Sequence, residues 1–232
     1  MTGERDMHEG GIPEDVVNRC LARRGRVHTF ETIDPARTAM LVVDMQNAFV
    51  AEGAAAEIPV AREVVPNINR INAALRQAGG LVVWIVSTYG PEEEDRWPIM
   101  YDHVFGEEQG KAFRAALTAG SPGHSVYAPL EQDPADITVS KNRFSAFVGS
   151  GGGLEELLRD RGIDTVLVTG TVTSVCCEST AREAAMRNFK TVMITDANAG
   201  RDDEEHWASL SNILLGFGDV YSTDEVIALM AG

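Results

Sequence analysis

TVLVTGTVTSVCCESTAREAA, residues 165–185, carries the pattern on which the fold turns. It opens with a continuous apolar run, Thr165–Val168, the signature of a strand covered on both faces. A short turn follows, and then Ala181, Ala184 and Ala185 set out a small-residue face suited to close packing on a sheet. Moving outward, similar apolar runs occur at Ala39–Val43, Leu81–Val86, Asp136–Val139 and Thr191–Ile194, with a shorter sixth at Asp219–Tyr221. Between them lie segments of helical period: Val60, Val64, Ile68, Ile71 and Leu75 ahead of the Gly79–Gly80 stop, then Leu154, Leu157 and Leu158, and finally His206 to Phe217. Repeated β-α-β order implies right-handed crossovers. The predicted fold is α/β, a doubly wound, mostly parallel six-stranded sheet with helices on both faces.

The chain of 232 residues suits a single such domain over 31–232, preceded by an extension over 1–30. Residues 1–12 are polar and Gly-rich and are expected to be loosely held. Pro13 to about Arg24 reads as a short helix with Pro13 in its first turn. Tyr89–Pro134 breaks the alternation: it is long, punctuated by Pro and Gly, and holds a candidate helix around Gly110–Ala119. An insertion of this length is expected to cover a site or build an oligomer contact.

With 35 acidic and 20 basic residues the formal net charge is −15, which argues against nucleic-acid backbones and anionic lipid as partners. Three cysteines, two of them adjacent, make no disulfide framework and fit a reducing compartment. The first residues lack the apolar core of a signal peptide, and the run Leu81–Val86 is too short to span a bilayer. A cytoplasmic protein is expected.

In a doubly wound sheet, ligands bind outside the carboxyl ends of the strands. Three reactive residues stand there: Asp44 in LVVDMQNAF, Lys141 in ITVSKNRFSAF and Cys176 just past TVLVTG. Singly, each has a plain structural explanation, as a capping Asp, a solvated Lys or a buried Cys. Together they supply what thiol chemistry needs. A helix N-terminus and a nearby ammonium favour the thiolate. A carboxylate can take the thiol proton and return it to a leaving amine, while backbone amides at the helix start can receive an oxyanion. The expected class is acyl transfer to water through a thioester. Cys177 competes with Cys176; neighbours on a helix point about 100° apart, so only one can face the crevice, and spacing does not say which.

The blocks LVVDMQNAF, SKNRFSAF and TGTVTSVCCESTAREAA, in that order, resemble the isochorismatase-like cysteine hydrolase superfamily, from about Thr38 to the C-terminus. The resemblance implies an Asp44–Lys141–Cys176 triad, because the family's nucleophile is the sixth residue after the glycine, counted from Gly170 to Cys176. It also implies a cis peptide between Val172 and Thr173 that aims the Thr173 and Cys176 amides as an oxyanion hole, and a structural role for Asp196. The family's dimers and tetramers imply a homodimer or homotetramer here.

Departures narrow the reading. The metal-binding histidines that nicotinamidases carry after the second strand are missing from VSTYGPEEEDRWP, and His103, His124 and His206 lack ligand spacing. His206 reads as a packed or surface helix residue, and Glu92–Asp95 as a solvated acidic loop. No metal and no cofactor is expected, and nicotinamide is disfavoured. Isochorismatases proper, which cleave a vinyl ether, lack the cysteine. VCCESTAR and the insertion look more like ureidoacrylate amidohydrolase and other carbamoyl-cleaving members, so small amide, ureido or carbamoyl compounds are the expected substrates. The alternatives are a simple carboxamide such as maleamate, a catalytically silent binding member, or a redox role for the vicinal cysteines. Phe49, Trp84, Arg143 and Phe147, on segments flanking the triad, are candidate pocket residues, with Arg143 able to clamp a carboxylate.

Overall fold

A computed structural model describes residues 7–90, 97–151 and 153–231. Its sheet contains β1 (Thr38–Val43), β2 (Leu81–Ser87), β3 (Ile137–Lys141), β4 (Thr165–Thr171), β5 (Lys190–Ala199) and β6 (Asp219–Tyr221). The order is β3-β2-β1-β4-β5-β6, and every ladder among the described residues is parallel. The chain winds outward from β1 to β3 on one side and from β4 to β6 on the other. The switch point falls between β1 and β4, where the crevice of such a sheet forms.

Helices α1 (Glu14–Arg24), α2 (Asn47–Val50), α3 (Val65–Gln77), α4 (Glu107–Ala116), α5 (Leu154–Asp160), α6 (Glu178–Met186), α7 (Asp203–Gly216) and α8 (Thr223–Ala231) complete the fold. On one face of the sheet, Leu41, Val83 and Val168 pack with Leu158 of α5, Ala181 and Ala184 of α6, and Leu210 of α7. On the other, Met40, Trp84 and Leu167 pack with Ile68, Ile71 and Leu75 of α3 and Val226 of α8. Two-sided burial explains why the strand runs are continuously apolar. Of the alanine face of α6, Ala181 and Ala184 are fully buried and Ala185 is half-buried.

α8 is the helix the apolar periodicity does not announce. It is fixed by Asp196, whose Oδ1 accepts from the Thr223 amide at 2.8 Å and the Thr223 hydroxyl at 2.7 Å, so this carboxylate serves as a cap. The N-terminal segment is a second difference. From His8 onward it is tied down: His8 Nδ1 pairs with Asp203 at 2.7 Å, and the Trp207 indole donates to the Glu9 carbonyl at 2.8 Å. Side chains of α7 supply both anchors, which a composition-based expectation of looseness does not count.

The insertion between β2 and β3 builds its own small core. Tyr89, Tyr101 and Leu117 are buried together with Ala48, and Phe49, Trp97, Phe105 and Phe113 pack against them. It folds back beside the end of β1, where the Asn47 amide donates to Ser125 and the Tyr127 amide to Met45. The acidic run Glu92–Asp95 lies outside the described residues.

Candidate active site

The strand ends bring four side chains to one point. Val43 is in register with Gly170, and Ser87 with Lys141, so residues from the ends of β1 to β4 converge. The approach requires a glycine at 170. Its φ is +111°, and a Cβ there would sit 2.1 Å from the Val43 carbonyl oxygen. Without that close pass, β4 could not deliver its following turn beside Asp44.

Asp44 has a left-handed φ of 52°, uncommon outside glycine but tolerated by Asp, and its side chain is fully buried. Its Oδ1 accepts from the Ser87 amide at 3.1 Å and the Ser87 hydroxyl at 2.8 Å. Its Oδ2 lies 2.7 Å from Lys141 Nζ, and that ammonium is the countercharge that makes burying it tolerable. Lys141, 1% exposed, also donates to Ser87 Oγ at 2.8 Å, to the Arg143 carbonyl at 3.1 Å and to Cys176 Sγ at 3.5 Å. Burial pulls this ammonium's pKa down, but the Asp44 carboxylate and the Cys176 sulfur outweigh it and leave it raised.

Cys176 lies in a π-helical turn, Thr173–Cys177, that leads into α6. Burial first, and then the Asp44 charge, push its thiol well above the usual range, with Lys141 opposing them. The thiol therefore lies beside the Asp44–Lys141 pair with its ionisation disfavoured by burial and by the Asp44 charge. Cys177 faces the other way: its Sγ reaches the Thr169 carbonyl at 3.8 Å, and it packs in the core beneath the sheet. The structure thus separates two neighbours that helical spacing leaves equivalent.

The turn carries a cis peptide, at Thr171–Val172 and not at Val172–Thr173 as the resemblance implies. The Val172 carbonyl accepts from the Val175 and Cys177 amides at 3.0 and 3.3 Å, which closes the turn around the bond that follows the cis one. Thr173 is fully buried, and its hydroxyl lies 3.0 Å from His206 Nδ1. His206 is packed and stacks on His8 with ring centroids 4.0 Å apart; burial first, then His8, bring its pKa down to about 3.

A cavity of about 650 Å³ opens over Cys176, Lys141 and Ser87. Of the four pocket candidates, Phe49 lines it. Trp84 does not: it stands on the face of β2 opposite Val83 and Ile85, and its Nε1 donates to Asp136 at 2.7 Å, just ahead of β3 and away from the strands' carboxyl ends. Phe147 packs behind the site, 6.0 Å from the Phe189 ring, with the Arg187 guanidinium 5.5 Å above it. The Arg143 guanidinium lies over the Trp97 ring at 5.1 Å and is not part of the lining, although the residue's carbonyl helps seat Lys141. Nearness in sequence to the triad brings these side chains close to the site without turning them into it.

Sequence reasoning missed Ser87 and Gln46. Ser87 bridges Asp44 and Lys141. Gln46, fully buried, accepts from the Ser87 amide at 2.7 Å and donates to the Ser87 and His124 carbonyls at 3.0 and 2.8 Å. Ser87 was findable by the rule that finds Asp44 and Lys141, since it ends β2. The insertion supplies the other lining residues missed, including Tyr89, Tyr101, Phe105 and Phe113. Among the described residues no three His, Cys, Asp or Glu side chains form a metal-ligating group, and no helix is long and apolar enough to cross a membrane.

A parallel sheet with this order and a buried Asp–Lys–Cys cluster at its carboxyl edge define a class of hydrolase. The family model described as the isochorismatase domain matches residues 38–225, and the chain belongs to the isochorismatase-like cysteine hydrolase family. It is 31% identical over 199 residues to ureidoacrylate amidohydrolase RutB of Methylobacterium radiotolerans, covering 80% of this chain and 76% of that protein. It is 30% identical over 174 residues to a probable inactive nicotinamidase of Arabidopsis thaliana, covering 75% of this chain and 86% of the relative. Among solved structures it is similar to a cysteine hydrolase from Pseudomonas syringae pv. phaseolicola, with a TM-score of 0.77 and 30% identity over 86% of this chain and 94% of the other.

Proposed function

We propose that this chain is a cysteine-dependent amidohydrolase that cleaves the C–N bond of a small amide, ureido or carbamoyl compound through a thioester-type intermediate. The observation that carries the reading is the contact set around Lys141: one buried ammonium within 2.7 Å of Asp44 Oδ2 and 3.5 Å of Cys176 Sγ, with Lys141 and Cys176 lining the cavity.

In the proposed sequence the Cys176 sulfur attacks the substrate carbonyl carbon while its proton passes to Asp44. The Thr173 and Cys176 amides receive the oxyanion. The tetrahedral adduct collapses as Asp44 returns the proton to the nitrogen, and amine or ammonia leaves. Water then adds to the acyl or carbamoyl thioester with Asp44 as base, the second adduct expels the sulfur, and the acid departs. Moving the proton from thiol to carboxylate leaves the site's total charge unchanged, and Lys141 stabilises the anion in either position. This explains how a thiol raised by its surroundings can serve as nucleophile: it ionises only as it attacks.

The chain's likeness to a ureidoacrylate amidohydrolase supports placing ureido and carbamoyl compounds ahead of simple carboxamides. Three free, buried cysteines agree with action in the cytoplasm. Exposed Ile99, Val104 and Met186 offer apolar surface for a homodimer or homotetramer.

The test is ammonia release under metal chelation from ureidoacrylate, biuret, N-carbamoylsarcosine, maleamate and nicotinamide, with wild type beside Cys176→Ala. Chelator-resistant, Cys176-dependent release from a ureido compound is expected. Equal release by the Cys176→Ala variant would overturn the nucleophile assignment.

A further inference from the structure

The first described residues lie ahead of the matched family domain, which begins at residue 38, yet they reach the support of the nucleophile turn. That turn, Thr173–Cys177, is held by three side chains of α7. The Ser209 hydroxyl donates to the Thr173 carbonyl at 3.3 Å, and the Ser174 hydroxyl donates to Glu205 Oε2 at 3.0 Å. The third contact is the Thr173 hydroxyl, 3.0 Å from His206 Nδ1, and both of these residues are fully buried.

His206 is in turn held by the N-terminal segment. The His8 ring stacks on it, with centroids 4.0 Å apart and planes inclined by 19°. His8 is fixed at both nitrogens: Nδ1 meets Asp203 Oδ1 at 2.7 Å, and Nε2 accepts from the Gly200 amide at 2.9 Å. A carboxylate only accepts and an amide N–H only donates, so the ring carries its proton on Nδ1. Its side chain is 4% exposed. Gly10 lets the backbone pass close over the next residue of α7. Its φ is +116°, and a Cβ there would sit 3.0 Å from Trp207 Nε1, which donates to the Glu9 carbonyl at 2.8 Å. These contacts fall on Gly200 and on residues 203–207, the part of α7 that meets Thr173 and Ser174. Without the His8 ring, the stacked face of His206 would open onto a small cavity of about 100 Å³ that His8 and Trp207 line. Water would then compete for the imidazole, and the ring would be free to turn away from Thr173.

We infer that His8 is a positioning residue: by stacking on His206 it fixes the His206–Thr173 contact, and so aims the Thr173 amide at the oxyanion. The inference rests on the hydrolase reading above, which gives that amide its task. It goes beyond that reading by making a segment outside the family domain part of the site's geometry. His8 touches no reacting atom, and its effect passes through His206 and Thr173. A small displacement of the turn weakens an oxyanion donor, whereas a displacement reaction at sulfur makes no call on that donor.

The test compares two reactions of the same thiol. Propionaldehyde adds reversibly: the Cys176 sulfur bonds to the carbonyl carbon, the thiol proton ends on the oxygen, and that oxygen of the hemithioacetal takes the place of the oxyanion. Iodoacetamide alkylates the same sulfur: a carbon–sulfur bond forms, iodide leaves, the thiol proton is released, and no oxyanion arises. The readouts are the alkylation rate at Cys176, followed by mass spectrometry, and the propionaldehyde concentration that halves it. In His8→Ala that concentration is expected to rise about tenfold, while alkylation without aldehyde stays within about twofold of wild type. His8→Phe, which restores a stacked ring without its nitrogens, is expected to recover most of the loss. Trp207→Phe, which releases the Glu9 carbonyl, is expected to show a smaller rise and serves should His8→Ala fold poorly. Unchanged aldehyde protection in both His8→Ala and Trp207→Phe, equal loss of both reactions, or a His8→Phe protein no better than His8→Ala would overturn the inference. A wild-type protein that alkylates at Cys176 but gains no protection from propionaldehyde overturns the thioester reading, and the inference falls with it.

Discussion

The two kinds of wall around the cavity are built by different physics. At the strand ends, Asp44, Ser87, Lys141 and Gln46 are buried polar groups whose hydrogen bonds and ion pair interlock. Losing any partner leaves another group desolvated, so this end tolerates little change. In the same cavity, Tyr89, Tyr101, Phe105 and Phe113 form a wall whose cohesion is mostly apolar contact. There, one ring can replace another of similar volume at modest cost. The contrast separates two tasks. On the proposed function, bond-breaking chemistry falls to the sheet, where geometry is rigid, and the insertion supplies a wall that can vary without disturbing that chemistry.

The largest effect expected to test this contrast is at the nucleophile. Cys176→Ala should lower kcat/KM on any hydrolysed amide by roughly 10³-fold or more, whereas Cys177→Ala should stay within about tenfold and lose stability instead, because its thiol fills core. Steady-state rates beside thermal melts distinguish the two; the reverse pattern would break the assignment. Next, Lys141→Ala should cost about 3–5 kcal/mol by stranding the Asp44 charge. Adding Asp44→Asn should recover much of that stability with no return of activity, and denaturant titrations of the single and double variants measure the coupling.

A smaller effect concerns the support beneath the nucleophile turn. Burial and His8 hold His206 at a pKa of about 3, so the folded protein keeps it neutral while the unfolded chain protonates it below about 6.5. The unfolded state then binds the extra proton, and stability should fall as pH drops from about 6.5 toward 3, by up to ~1.4 kcal/mol per unit. His206→Asn should flatten that slope in denaturant titrations run from pH 7 to pH 5. The smallest effect belongs to the aromatic wall: Tyr101→Phe removes the hydrogen bond to Tyr89 and should cost about 1 kcal/mol, leaving the rate of Cys176 alkylation unchanged. A large change in that alkylation rate would show the two walls to be coupled.

The same division governs what was legible in the sequence. The strands and the Asp44, Lys141 and Cys176 positions could be read because continuous apolar runs mark strands, and the fold dictates that ligands sit at their carboxyl ends. The runs end too soon at the site, however. β2 extends to Ser87, β3 to Lys141 and β4 to Thr171, since polar residues that serve the crevice still keep ladder pairing. Trp84 was misplaced because strand parity, which puts it with Val82 on the face away from Ile85, outweighs proximity to the strand end. The aromatic wall was illegible for a different reason. Nothing periodic links Tyr89 to Phe113; they meet only because the insertion folds on itself. α8 is capped by the local Ser222–Glu225 pair and by the distant Asp196, neither of which the apolar periodicity reveals.

Ser87 meets Asp44 across 43 residues of chain, Lys141 meets Ser87 across 54, and Cys176 meets Lys141 across 35. No short fragment contains the cluster, and neighbouring strands cannot assemble it until β4 is in place. During synthesis and refolding Cys176 is therefore an ordinary thiol, and it gains its special surroundings only when contacts remote in sequence have closed, the slowest kind to form. On the proposed function, hydrolysis would in this sense be a late signal of completed folding.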